Sequence, residues 1–149
     1  MYKFQQIQIL NKNIDEIFPF FENPENLEII TPSELSFKII TPKPLLMKEG
    51  AEFKYTIKLG LLKFPWKTVI TKYEPNKVFI DEQKFGPYKK WKHIHLFEDI
   101  NGKTKMTDLI EYDLFFYPIK SLINRLYVKN NIIKIFAFRE KYLREKFNQ

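Results

Sequence analysis

Asp81-Glu-Gln-Lys-Phe-Gly-Pro-Tyr88, followed after two lysines by Trp91-Lys-His-Ile-His95, is the stretch whose reading decides the fold. Side chains alternate on both sides of Gly86-Pro87, and residues two apart share a face of a strand. The segment therefore reads as two antiparallel strands joined at a turn. Glu82 and Lys84 mark the solvent side of the first strand, so Phe79, Asp81, Gln83 and Phe85 point inward. Lys92 marks the second and leaves Trp91, His93, His95 and Phe97 inside. In the next run Lys105, Thr107, Glu111 and Asp113 face out, with Met106, Asp108, Ile110, Tyr112 and Leu114 inside.

Further out, the same period-two pattern holds from Leu35 to Leu114, with breaks at Pro42/Pro44, Gly50, Gly60, Pro75-Asn76, Gly86-Pro87 and Asn101-Gly102. Six strands are expected, at about 36–41, 52–59, 64–73, 78–84, 90–99 and 103–116, separated by breaks short enough for hairpins. Lys54, Thr56 and Lys58 put Phe53, Tyr55, Ile57 and Leu59 inside; Lys67 and Thr71 do the same for Trp66, Thr68 and Ile70. Tyr2 to Leu10 forms a further alternating strand. Asn13, with Glu16 three residues on, opens a short helix, and Asn23-Pro24 caps a second. After Pro118 the chain reads as helix to its end. Ile119, Leu122, Ile123, Leu126, Ile133, Phe136, Ala137, Leu143 and Phe147 form its apolar stripe.

This order predicts an α+β helix-grip: a seven-stranded antiparallel sheet, β-α-α-β6-α, wrapped around a long C-terminal helix as one domain over residues 1–149. Composition agrees. The chain carries 25 aromatics (15 Phe, 8 Tyr, 2 Trp), more than the packing of a small core requires, which implies a large apolar interior that can enclose a cavity. With no cysteine, disulfides, a thiol nucleophile and thiolate metal sites are excluded. The first ten residues lack the charge and apolar run of a signal peptide, and no apolar run approaches the ~20 residues of a spanning helix, so a cytoplasmic location is expected. The net charge of +7 is uneven, −1 over residues 1–60 and +8 over 61–149. No nucleic-acid-binding signature accompanies it.

The sorting gathers Asp81, Gln83, His93, His95, Asp108 and Tyr112 among Trp66, Phe79, Trp91, Phe97 and Tyr55, with Arg139 available from the helix. A buried carboxylate needs a partner, so the acids and histidines are expected to bond one another or a guest. Four readings are open: a self-satisfied polar network, a polar anchor at the end of an apolar pocket, a His-x-His-plus-carboxylate metal site, and acid–base catalysis. The last lacks a recognisable nucleophile or oxyanion hole, and no cofactor or resident metal is expected. On the opposite face Val69, Ile80, Ile94, Leu96 and Leu109 suggest a homodimer through the sheet.

Ser36-Phe-Lys-Ile-Ile-Thr-Pro42, the Asp81–Tyr88 and Trp91–His95 blocks, Met106-Thr-Asp-Leu-Ile-Glu-Tyr112 and Ile135-Phe-Ala-Phe-Arg139 resemble the SRPBCC superfamily, the START-like, helix-grip proteins that include the birch-pollen allergen and polyketide cyclases. The resemblance is closest to the bacterial ligand-binding SRPBCC proteins. It implies a helix-grip around a hydrophobic cavity and a lipid-like or polyketide-like ligand, with a cyclase/aromatase-type enzyme using a His–Asp pair as the alternative. Leu114-Phe-Phe-Tyr-Pro-Ile119 departs from the family pattern in lacking a glycine behind the proline, which implies a stiffer turn into the helix.

Overall fold

The computed structural model describes residues 1–148. Its strands are β1 (Tyr2–Leu10), β2 (Lys38–Ile39), β3 (Glu52–Leu59), β4 (Leu62–Glu74), β5 (Val78–Phe85), β6 (Lys90–Ile100) and β7 (Lys103–Asp113). They form one seven-stranded antiparallel sheet in the order β1-β7-β6-β5-β4-β3-β2. From β2 to β7 the chain is a meander. Asn101 and Gly102, both at positive φ, make the tight β6–β7 turn whose twist matches the strands it joins.

Between the two edge strands the chain crosses by way of α1 (Ile14–Glu22) and two short 3-10 turns, Pro24–Glu28 and Ser33–Leu35. Asn13 and Glu16 close a reciprocal cap at the start of α1: the Glu16 N–H donates to Asn13 Oδ1 at 3.1 Å, and Asn13 Nδ2 donates to Glu16 Oε1 at 3.3 Å. The Asn23-Pro24 start caps a 3-10 turn instead of an α-helix.

The C-terminal helix opens with α2 (Lys120–Ile123), passes through a π-helical stretch, Asn124–Val128, and continues as α3 (Lys129–Phe147). The wider π turn changes which side chains reach the sheet. Asn124, Val128, Ile132, Phe136 and Leu143 are buried, whereas Ile119, Leu122, Leu126 and Ile133 of the expected stripe are exposed. Among the described residues the core falls into three clusters, one of them around Leu45, Phe53 and Ile70. Trp66, Ile110, Tyr112, Ile132 and Phe136 belong to a second, and Leu10, Ile17, Phe18, Phe79, Phe97 and Leu143 to the third.

Further corrections concern strand ends and faces. The first meander strand shrinks to Lys38–Ile39, and β7 stops at Asp113 rather than 116. The β4–β5 register shifts twice, between Lys67 and Thr68 and between Ile70 and Lys72. The first shift sets Phe85 opposite Lys67, and its ring, expected inside, is exposed. On the outer face Val69, Ile80, Ile94 and Leu109 are half-buried and Leu96 is exposed. Among the described residues no helix is long and apolar enough to cross a membrane.

Candidate functional site

Three neighbouring strands carry the polar cluster. Register places Asp81 (β5) directly opposite His93 (β6), and His95 (β6) directly opposite Asp108 (β7). The short hydrogen bonds instead run along the diagonals. His93 Nε2 lies 2.8 Å from Asp108 Oδ1 and His95 Nε2 lies 2.7 Å from Asp81 Oδ2. The direct neighbours are farther, 3.8 Å from His93 Nδ1 to Asp81 Oδ2 and 3.6 Å from His95 Nδ1 to Asp108 Oδ1. One oxygen of each carboxylate, Asp81 Oδ2 and Asp108 Oδ1, thus sits between two imidazoles.

Packing holds this ring of four groups. The two imidazoles stack with centroids 3.6 Å apart, and Phe79 stacks on the far side of His95 at 4.0 Å. The edge of Phe136 in α3 closes on His93 at 5.5 Å. Burial acts to raise both carboxyls, but the hydrogen bond from His95 to Asp81 and that from His93 to Asp108, with the charges of the histidines and Arg139, hold both below the usual carboxylate value. Burial, and then the neighbouring His93, push His95 below the ordinary imidazole value against the pull of Asp81.

Arg139 comes from α3. Its Nε donates to the Ile30 carbonyl at 3.1 Å and its guanidinium lies 4.9 Å from the Phe136 ring centre. Among the described residues it forms no ion pair with Asp81 or Asp108. Burial pulls its pKa down while Asp108 and Asp81 pull it up. A guanidinium stays charged in proteins, and among the described residues its Nη groups donate no hydrogen bond, so they can face a guest.

These groups line a cavity of about 150 Å³ between sheet and helix. Its walls include the expected Tyr55, Trp66, Phe79, Asp81, Trp91, His93, His95, Asp108 and Arg139. Burial, and then the charge of Asp81, raise the Tyr55 phenol. Tyr88 lines the wall as well, buried against Trp66 and Trp91.

Three expected residues are not in the lining. Gln83 folds back on the β5–β6 turn, where its Nε2 donates to the Tyr88 carbonyl at 2.8 Å and its Oε1 accepts the Tyr88 N–H at 3.1 Å. Phe97 packs edge-on against Phe18 at 5.1 Å in the core. Tyr112 turns its hydroxyl to Asn124 Oδ1 of the π stretch at 2.5 Å.

Other wall residues went unrecognised in the sequence. Gln6 and Gln8 of β1 line the cavity, and their Nε2 groups donate to the Phe136 and Glu140 carbonyls of α3 at 3.2 and 2.9 Å, tying the helix to the sheet edge. The alternation of β1 puts both on the face of Phe4, which was the available signal. Phe20 of α1, Leu27, Ile30 and Phe37 from the rest of the β1–β2 crossing, and Leu45 and Met47 from the β2–β3 connection close the far wall, mostly from irregular segments where no period exists to read.

The ring can act chemically in two ways. The groups satisfy one another as they stand, and an imidazole paired with a carboxylate can also move a proton at the cavity wall. Asp81, His93 and His95 also offer three ligand atoms within 4.8 Å of one another, a donor set that suits a divalent transition metal.

No protein-family model matches the chain, and no curated protein sequence matches it significantly. Solved structures do match in shape. TTHA0849 from Thermus thermophilus superposes with a TM-score of 0.74 at 14% identity, covering 97% of this chain and 95% of that one. A START superfamily protein from Mycobacterium smegmatis gives 0.70 at 8% identity, covering 97% and 99%. The ginseng major latex-like protein 151 from Panax ginseng gives 0.62 at 14%, covering 95% and 96%. At these identities the likeness is one of fold: this chain has the helix-grip fold of the START-like superfamily.

Proposed function

We propose that the protein binds a small hydrophobic or amphiphilic molecule between the sheet and α3. One observation carries this reading: an apolar cavity ends in a cluster of charged side chains of which one, Arg139, has donors left over. Tyr55, Trp66, Phe79 and Trp91 would hold the apolar body. Asp81, His93, His95, Asp108 and Arg139 would orient the polar end. Burial of apolar surface contributes roughly 25 cal/mol per Å², so a guest gains most of its affinity from the aromatic wall.

Volume narrows the class. A cavity of about 150 Å³ suits a guest of one or two rings, and a long acyl chain would require the helix and sheet to separate. Of the lipid-like and polyketide-like ligands, the compact ring-bearing kind fits better. Trp91→Ala and Tyr55→Ala should each weaken uptake of 2-naphthol, a two-ring fluorescent probe, by about tenfold, read by fluorescence titration. Unchanged affinity in both would remove the cavity from the binding reaction.

The cyclase/aromatase-type reading draws support from the His95–Asp81 pair, a short imidazole–carboxylate contact at the cavity wall. Its test is turnover of a linear poly-β-keto thioester, expected to vanish in His95→Gln while probe binding persists.

A further inference from the structure

Two stretches of the chain contain no acid: residues 53–73 hold five lysines, and residues 114–139 hold three lysines and two arginines. The fold brings parts of both together. The tip of the β3–β4 hairpin rests against the C-terminal helix, where a Cβ on Gly60 would lie 3.6 Å from the Tyr127 hydroxyl. Among the described residues Lys58, Lys63, Arg125, Lys129 and Lys134 form no ion pair.

The same end exposes large apolar side chains. Leu61 at the hairpin tip is 94% exposed, and its neighbour Leu62 is exposed as well. The connection from β7 to α2 presents Phe115, Phe116, Tyr117 and Ile119 to solvent. Leu122 and Leu126, four residues apart on one face of the helix, continue the surface. Exposed apolar side chains gathered at one end of the sheet among unpaired cations mark a contact site, and the charge there selects the partner. A second copy would set these cations against their own like. Phe115, Phe116 and Tyr117 can stack on bases, but Leu61, Leu62, Ile119, Leu122 and Leu126, the larger part of the surface, offer nucleobases no stacking face. An anionic bilayer complements both features, because aliphatic side chains enter the headgroup boundary while lysine and arginine meet the phosphates.

We propose that this end of the molecule docks on the surface of an anionic lipid bilayer, with Leu61, Leu62 and Leu126 at the headgroup boundary and Lys58, Lys63 and Arg125 on the phosphates. The contact is interfacial, since nothing in it spans. It stands apart from the cavity reading: a protein that docks but takes up no probe keeps this surface and loses the ligand.

The test is flotation of the full chain with vesicles of phosphatidylcholine alone or mixed with phosphatidylglycerol. Partitioning onto the mixed vesicles should exceed that onto phosphatidylcholine by about tenfold or more, and should fall as salt rises. Leu61→Ser combined with Leu126→Ser should weaken it by at least about tenfold, and Lys63→Gln combined with Arg125→Gln by a similar factor. These side chains are exposed, so far-UV circular dichroism should stay that of the parent. The proposal is overturned by no flotation on mixed vesicles, by equal partitioning onto both kinds, or by leucine variants that bind unchanged. A homodimer in sedimentation velocity that the leucine variants dissolve would overturn it too, as would nucleic-acid binding in place of flotation.

Discussion

Gln83 shows how one side chain's task is set by its neighbours rather than its position in a pattern. Alternation sends it toward the interior, yet its amide finds two backbone partners on Tyr88 first. Gln83→Ala removes both bonds and should cost about 2 kcal/mol in urea unfolding. A Cβ on Gly86 would lie 2.5 Å from Gln83 Oε1, so Gly86→Ala must expel the same amide. Combined with Gln83→Ala it should add little; full additivity would disprove the clamp. Tyr73 gives a second test at this scale. Burial, and then its hydrogen bond to Glu22, push its phenol up to about 12. The unfolded chain then loses this proton near pH 10 and the folded one only near 12, so stability falls as pH rises through that window. Tyr73→Phe should make the alkaline fall shallower than in the parent; parallel curves would show that the hydroxyl contributes nothing.

At the scale of elements, the strands follow the sequence where one face is wet, and depart from it at bulges. The turn at Asn101-Gly102 and the faces of β6 and β7 stand as the alternation predicts, because Lys92, Lys105 and Glu111 cannot be buried without partners. The β4–β5 shifts leave no comparable mark, and Phe85 emerges on the outside as a result. The helix differs for a related reason. A 3.6-residue period assumes regular winding, and the π stretch rotates Leu122 and Leu126 outward while seating Asn124 against Tyr112. Tyr112→Phe leaves the buried Asn124 oxygen without its donor and should cost about 1–3 kcal/mol by thermal or urea unfolding. Tyr112→Phe as stable as the parent would show that this bond does not anchor the π turn.

Over the whole molecule, a charge of +7 with unpaired cations gathered at one end stores self-repulsion in the folded state. Raising salt from low to physiological levels should therefore raise the melting temperature in scanning calorimetry. A flat or falling trend would mean that paired charges such as Lys84–Glu52, 2.6 Å apart, and Lys120–Asp113, 3.0 Å apart, dominate instead. Cavity volume is also a property of this scale. Twenty-five aromatics could fill the interior or frame a large hollow. They leave about 150 Å³, because rings from the α1 crossing, the sheet and α3 interlock.

The sequence by itself determined the strand succession, the β-α-to-sheet-to-helix order and the gathering of Asp81, His93, His95 and Asp108 on one face. Each follows from spacing along the chain and from the cost of burying charge, which act locally. Only the tertiary structure decided that the histidines bond across the diagonal, that Gln83 and Tyr112 are engaged elsewhere, which face of the helix is buried, and how much space remains. Those outcomes depend on side chains from distant segments competing for the same volume and the same hydrogen-bond partners.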